Sequence, residues 1–165
     1  MDWLRKLLKP GASPARTGML DVRFARHVAA LHHQGGFARG WEPGECAALI
    51  ADPAVVTDGI FAGTDPHPCG FVLSRKAADE AEILSVVIAR AHRREGLGRI
   101  LLGAHLNQLA RAGIRHVYLE VEDGNRPAEQ LYRSLGFREV GRRQSYYVKS
   151  DGSRASAVTM RLDLA

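Results

Sequence analysis

The feature that most constrains this chain is a glycine-containing turn between a predicted strand and the longest predicted helix. Residues 81–88 are strand-like, Arg93-x-x-Gly96-x-Gly98 follows them, and helical periodicity extends over residues 97–112. Glycines at a helix start let a ligand approach the backbone closely, and the first N–H groups of a helix have no partners within it. Because the helix dipole also favours an anion at that end, the turn is typical of a pyrophosphate-binding site.

Two common phosphate-binding loops do not fit this turn. The chain contains no Gly-x-x-x-x-Gly-Lys-Ser/Thr run, and Leu101 stands where a dinucleotide fingerprint needs its third glycine. The sequence therefore argues against NTP hydrolysis and nicotinamide binding. Taken alone, the turn also fits an ordinary strand-to-helix connection beside a solvated arginine cluster, Arg93, Arg94 and Arg99.

A second motif follows in the C-terminal half of the chain. Residues 117–121 alternate and are rich in β-branched side chains, which predicts a strand. Asn125 is a good N-cap, Pro127 suits the first turn of a helix, and Gly136 suits its end. Apolar residues recur between them at helical spacing: Ala128, Leu131, Tyr132 and Leu135. A further strand is predicted to start at Phe137.

Together the two motifs resemble the GNAT superfamily of N-acetyltransferases over residues 82–147. Arg93-x-x-Gly96-x-Gly98 is similar to the acetyl-CoA pyrophosphate motif of that family. Asn125-x-x-Ala128-x-x-Leu131-Tyr132-x-x-x-Gly136-Phe137 is similar to its later strand–helix–strand signature. Within the family, Leu119-Glu120-Val121, Arg142-Arg143-x-x-Tyr146-Tyr147 and Asp151-Gly152 most resemble the bacterial ribosomal-protein-alanine N-acetyltransferases.

The resemblance implies an α/β (α+β) fold, in which a central mixed, splayed sheet of about seven strands is flanked by about four helices. The local patterns agree, with the order β-α-α-β-β-β-α-β-α-β-β. Besides the elements named above, strands are predicted at residues 19–24, 55–61, 70–74 and 82–88, helices at residues 25–33 and 43–50, and a last hairpin from residues 146–149 and 157–162.

The length of 165 residues suits one domain. We expect an N-terminal extension over residues 1–18, a short amphipathic segment with a Pro/Gly/Ser linker, and an acetyltransferase domain over residues 19–165. No apolar run approaches the ~20 residues needed to span a bilayer, and no secretory signal is visible. A cytoplasmic location and no membrane partner are therefore expected.

A net charge of +5 favours an anionic partner, and coenzyme A is one. The sequence shows no RNA-recognition signature, so direct nucleic-acid binding is not predicted. We expect a monomer or a weak dimer.

The resemblance implies that acetyl-CoA is the cosubstrate. The backbone of Val86, Val87 and Ile88 would then pair with the pantetheine arm like an added strand. Asn125 would bond the same arm, although a plain helix N-cap explains it equally well. The pyrophosphate would lie against the turn formed by Arg93, Arg94, Glu95, Gly96, Leu97, Gly98 and Arg99.

Two side chains are the candidate catalysts. A partly buried carboxylate can accept a proton from the attacking amine, which makes Glu120 the candidate base. Glu122 lies on the same strand face, so the pattern alone does not choose between them. By resemblance, Tyr132 is the acid that protonates the leaving thiolate, and its alternative role is packing at a helix–sheet junction.

A covalent or metal-assisted route is not predicted. Cys46 and Cys69 have no histidine at a telling spacing and form no disulfide framework. His32 and His33 are adjacent, so their side chains diverge, and no Cys-x-x-Cys pair exists. Direct attack of the amine on the thioester fits better.

By resemblance, the acceptor groove is formed by the loop after the first helix and by the last hairpin. This implicates Phe37, Trp41, Tyr146 and Tyr147. We predict acetylation of a protein or peptide N-terminal amine, as in the ribosomal-protein-alanine type. The alternatives are a lysine or small-molecule amine acetyltransferase, and a non-catalytic module that senses acetyl-CoA.

Overall fold

The computed structural model of the protein describes residues 14–149 and 151–164, except for the side chain of Tyr147. The described residues form seven strands and four α-helices in the predicted order. The strands are β1 (Arg16–Met19), β2 (Val55–Phe61), β3 (Gly70–Ala77), β4 (Glu80–Ile88), β5 (His116–Glu122), β6 (Arg138–Val148) and β7 (Arg154–Asp163). The helices are α1 (Ala25–His32), α2 (Pro43–Ala51), α3 (Leu97–Arg111) and α4 (Arg126–Ser134).

The strands form one mixed sheet in the order β1-β2-β3-β4-β5-β7-β6. Neighbouring strands are antiparallel except β4 and β5, which are parallel. These two strands pair only from Glu80 to Ile83 and from His116 to Leu119. Both continue beyond this register, β4 to Ile88 and β5 to Glu122, so they separate toward their carboxyl ends. The prediction of a splayed mixed sheet with about four helices is confirmed.

A bulge interrupts β4 at the point where it leaves β5. Ser74 pairs with Ile83 and the preceding Leu73 pairs with Ser85, so Leu84 is an extra residue on β4. A bulge of this kind bends its strand and changes the side-chain alternation. Accordingly, Ile83 and Val86, three residues apart, both pack on one face of the sheet, whereas Leu84 and Val87 pack on the other face.

Helices cover both faces of the sheet, as predicted. On one face, α3 and α4 pack against β2 to β5, with Leu101, Leu102 and Leu109 of α3 fully buried. On the other face, α1 and α2 pack against β2 to β4, where Phe71 and Leu73 are fully buried. Each such side chain contributes about 1.5–3 kcal/mol by leaving water. Burial on both faces fixes the position of β4, from which the cleft described below is built.

The first strand lies earlier than predicted. It spans Arg16–Met19 instead of residues 19–24, and a 3-10 turn occupies Val22–Phe24. The Asp21 side chain accepts a hydrogen bond from the Arg23 N–H at 2.9 Å, which caps this turn. Such local side-chain bonding competes with strand formation and overrides the alternating pattern. β1 therefore lies partly within the predicted extension, whose residues 1–13 are outside the described part of the chain.

The last hairpin is longer than predicted. The predicted segment 146–149 falls at the end of β6, which stops at Val148, and the segment 157–162 lies within β7. β6 and β7 pair along most of their length. β6 is irregular between Arg143 and Tyr147, where Ser145 has a φ of +52°. None of the described helices is long and apolar enough to cross a membrane.

A buried polar chain ties α3 to the sheet. His105 of α3 lies 2.6 Å through Nδ1 from Asp58 Oδ2 and 2.7 Å through Nε2 from Ser74 Oγ. All three residues are buried. A fully satisfied buried network is expected to favour one arrangement of the elements it joins. Here it fixes the position of α3 on the sheet.

Candidate active site

A cavity of about 450 Å³ opens where β4 and β5 separate. Residues 83–86 of β4 and 119–122 of β5 form two of its walls. The start of α4 and the loop after α1, residues 35–38, close it on opposite sides of the sheet, and Val148 and Lys149 lie at its rim. It brings together five of the predicted site residues: Phe37, Val86, Glu120, Asn125 and Tyr132.

The N-terminus of α3 has the geometry expected of an anion site. Gly96 is its N-cap, with a left-handed φ of +77° that favours glycine, and no side chain caps the helix. A Cβ added at Gly98 would lie 3.3 Å from Leu131 Cδ2, so glycine permits the close packing of α3 and α4. The leading N–H groups of α3 therefore stay available to an anion.

Two of the three nearby arginines are already engaged with the protein. Arg93 donates through Nε to the Ile88 carbonyl oxygen at 3.1 Å and through Nη2 to that of Gln34 at 2.6 Å, which fastens the loop after α1 to the end of β4. Arg99 donates to Ser134 Oγ at 2.7 Å and links α3 to α4. Arg94 is exposed, with a φ of +62°. The proposed anion site at the start of α3 is therefore formed mainly by backbone N–H groups and by the positive charge of the nearby arginines. It does not need a direct contact from each of the three guanidinium groups.

The unpaired edge of β4 is available to a ligand along part of its length. The Ala89 N–H donates to the Cys69 carbonyl at 2.8 Å, on the β3 side. Because backbone groups alternate along a strand, the Val87 groups also face β3, and those of Val86 and Ile88 face the cleft. The Ile88 carbonyl is occupied by Arg93. Of the three predicted residues, Val86 and Ile88 thus present backbone groups to the cleft, and the buried Val87 side chain packs under α1.

Glu120 lies deeper in the cleft than Glu122. Both residues line it, on the face of β5 opposite the buried Leu119 and Val121. The Glu120 side chain is 17% exposed and forms an ion pair with Arg143 Nε at 3.1 Å. The Glu122 side chain is 37% exposed and pairs with Lys149 Nζ at 2.8 Å. Both carboxylates are therefore held by cations of the β6 side, which sequence reasoning did not foresee.

Tyr132 and Asn125 approach the cleft from α4. Tyr132 is 7% exposed, and its ring contacts Phe137 edge-on at 5.9 Å between centroids. The Asn125 side chain accepts from the Ala128 N–H at 3.4 Å, so the N-cap interpretation of Asn125 holds in the structure. Both residues also line the cleft.

An aromatic stack orders the loop on the acceptor side. The His32 ring lies between Phe37, at 4.4 Å, and Trp41, at 4.1 Å, nearly parallel to both. Its Nδ1 accepts from the Trp41 N–H at 3.1 Å. Burial lowers the pKa of His32 to about 4, so the ring is neutral near pH 7. Phe37 thus lines the cleft, and Trp41 packs against the opposite face of the His32 ring.

The other predicted acceptor residues lie on β6. The Tyr146 ring lies 5.0 Å from Arg143 Cζ, the same arginine that pairs with Glu120. The side chain of Tyr147 lies outside the described residues. A smaller cavity of about 340 Å³ adjoins this region and shares Leu119 and Glu120 with the cleft.

Neither cysteine has the properties of a nucleophile. Cys46 and Cys69 are both buried and free. Burial raises the pKa of the Cys46 thiol to about 11 and raises the pKa of the Cys69 thiol as well. Thiolates, the reactive form, are therefore scarce near neutral pH. This agrees with direct attack by an amine.

A model of the acetyltransferase (GNAT) family matches residues 26–137, more than half of the chain. The chain belongs to this family. Several relatives are named ribosomal protein bS18-alanine N-acetyltransferase, two of them from Haemophilus ducreyi and Escherichia coli K12. The one from Haemophilus ducreyi is 38% identical over 94 residues, 57% of this chain and 65% of its own length. The one from Escherichia coli K12 is 36% identical over 95 residues, 58% of this chain and 64% of its own length.

A solved GNAT structure shows the same arrangement of elements. The crystal structure of the ribosomal-protein-S18-alanine N-acetyltransferase from Escherichia coli superposes with a TM-score of 0.82 and 25% sequence identity. It covers 92% of this chain and 94% of its own. In sequence, however, the chain matches just under two thirds of the length of the relatives named above.

Proposed function

We propose that the chain is an acetyl-CoA-dependent N-acetyltransferase that acts on a protein N-terminal α-amine. The observation that carries this proposal is the single cleft between β4 and β5. It joins an unpaired strand edge to a partly buried carboxylate, Glu120, and to a buried phenol, Tyr132. The relatives named for acetylation of the bS18 alanine support this acceptor class.

The chain's own residues fit an extended acyl thioester. The Val86 backbone and the Ile88 N–H would pair with the amides of the pantetheine arm, and the N-terminus of α3 would hold the pyrophosphate. Acetyl-CoA supplies the acetyl group on a thiol leaving group. The other wall of the cleft, with Phe37 on the loop after α1, remains for the acceptor.

The proposed transfer is direct. The amine nitrogen attacks the thioester carbonyl carbon, the carbon–sulfur bond breaks, and coenzyme A leaves as the thiol. Glu120 takes the proton that the amine loses, directly or through water, and Tyr132 gives a proton to the departing sulfur. Arg143 forms an ion pair with Glu120 and holds its carboxylate at the edge of the cleft.

Peptide acetylation tests the proposal. The full chain is incubated with acetyl-CoA and three acceptors: a lysine-free peptide with a free N-terminal alanine, a lysine peptide with a blocked N-terminus, and a small primary amine. Mass spectrometry should show modification of the first at the α-amine. Faster modification of either other acceptor would contradict the acceptor class. Calorimetric binding of coenzyme A without any transfer would indicate a sensor, and the absence of binding would reject the cofactor assignment.

A further inference from the structure

One polar group in the cleft has no role in the proposed mechanism. Ser85 of β4 is 5% exposed and lines the cleft. Its Oγ is buried and, within the described residues, has no hydrogen-bond partner. A buried hydroxyl without a partner destabilises a folded protein by about 1–3 kcal/mol. Its presence in the wall of a binding cleft therefore points to a ligand atom that supplies the missing partner.

The bulge at Leu84 decides where this hydroxyl points. Beyond the bulge, Val86 and Ile88 pack toward the α3 face of the sheet and Val87 packs toward the α1 face. Ser85 shares the parity of Val87, so its side chain lies on the α1 face. Glu120 lies on that face too, because its neighbours Leu119 and Val121 are buried in the α3-side core. Ser85 and Glu120 are thus on opposite walls of the acceptor half of the cleft.

We infer that the Ser85 hydroxyl binds the primary amine of the acceptor, accepting one of its N–H groups. This inference rests on the proposed function. An ammonium arrives with three N–H donors, and one Glu120 oxygen, Oε1, is already paired with Arg143. Because the three N–H groups of an ammonium diverge tetrahedrally, one planar carboxylate cannot meet all of them at once. Ser85 places a second acceptor on the facing wall, and rotation about its χ1 torsion can bring Oγ to the incoming nitrogen.

The chain offers a matched control. Thr57 of β2 is also buried, and its Oγ1 likewise has no hydrogen-bond partner among the described residues. It lies outside the lining of both cavities. Removing the Thr57 hydroxyl with Thr57→Val therefore reports what a buried hydroxyl does to the fold alone.

The experiment compares wild type, Ser85→Ala and Thr57→Val as full chains. Initial rates are measured with saturating acetyl-CoA and varied amounts of the peptide that wild type acetylates best. We expect Ser85→Ala to raise the KM for the peptide about tenfold, the effect of one hydrogen bond to a charged group. Its kcat and its KM for acetyl-CoA should stay within about twofold of wild type, as for loss of uniform acceptor binding. Thr57→Val should leave all three constants unchanged.

Thermal unfolding without ligands supplies the second readout. Because Ser85→Ala removes an unsatisfied hydroxyl, its Tm should equal or exceed that of wild type. If Ser85→Ala and Thr57→Val both lower the Tm by similar amounts, the Ser85 hydroxyl has a purely structural role and the inference is overturned. An unchanged peptide KM would also overturn it, and so would a loss confined to kcat or to the KM for acetyl-CoA, which would assign the hydroxyl to the thioester. If the wild-type protein acetylates no amine, the proposed function itself is wrong. This outcome can be distinguished from the results above, which concern Ser85 alone.

Discussion

His32 makes the stability of the acceptor loop depend on pH. Burial between Phe37 and Trp41 lowers its pKa from 6.5 to about 4, with smaller contributions from the positive charges of His33 and Arg39. Between these two pH values, the unfolded chain binds a proton at His32 and the folded chain does not. The free energy of unfolding therefore falls as the pH falls through this window, by about 1.4 kcal/mol per pH unit.

The expected effect is large enough to measure. From pH 6.5 to pH 4, this one imidazole removes about 3 kcal/mol of stability. For a domain of this size that corresponds to a fall in Tm of about 6–12 °C. Well above pH 6.5 the contribution is constant, because both states then carry a neutral ring.

Two variants separate His32 from the other titrating groups. His32→Phe keeps a flat ring in the stack, loses the bond from the Trp41 N–H, and cannot be protonated. Its Tm at pH 7 should be somewhat lower than that of wild type, but between pH 6.5 and 4 its Tm should fall much less. His33→Gln changes the exposed neighbour and should keep most of the wild-type pH dependence. If His32→Phe loses as much Tm on acidification as wild type, the argument from burial is wrong.

Three further predictions concern the cleft and its support. Tyr132→Phe should keep its affinity for coenzyme A in a thermal-shift assay and lose about 10²–10⁴-fold in kcat; an unchanged kcat rejects the acid role. Glu120→Gln should remove the rise of kcat/KM with pH, whereas Glu122→Gln should keep it; the reverse result in pH–rate profiles would exchange their roles. His105→Leu leaves Asp58 buried without its partner, so denaturant unfolding should show a loss of about 3–5 kcal/mol; a loss below about 1 kcal/mol would show that the pair contributes little.

Local sequence patterns were sufficient to predict a feature when all the residues that form it lie close together in the sequence. The turn before α3 was predictable because glycine spacing, the end of a strand and the start of a helix lie within a few residues. Asn125 and Pro127 predicted the start of α4 in the same way, and Asn125 is the N-cap of that helix in the structure. The first strand was misplaced because the alternation of residues 19–24 competes with the local bond that Asp21 makes to Arg23.

Contacts between distant residues were not predictable from these patterns. His105 meets Asp58 and Ser74 across 47 and 31 residues of sequence, and nothing local to any of them marks the meeting. The pairing of Glu120 with Arg143 likewise depends on the register of β6, which is irregular at that point. The sequence identified Glu120 as a candidate base, but it could not show which cation would lie beside it.

The most consequential position that the pattern misplaces is Ser85. A strict period of two along β4 would put its side chain with Ala81 and Ile83, in the core under α3. One additional residue, Leu84, reverses this parity and turns the hydroxyl toward the face that carries Glu120. The same bulge lies where β4 leaves β5, so the distortion that opens the cleft also aims a polar group into its acceptor half. Deleting Leu84 would remove the bulge and place Ser85 directly after Ile83, so regular alternation would keep the Ser85 hydroxyl on the α1 face. The parity of Ser85 along β4 therefore depends on the bulge at the extra residue and not on its own side chain.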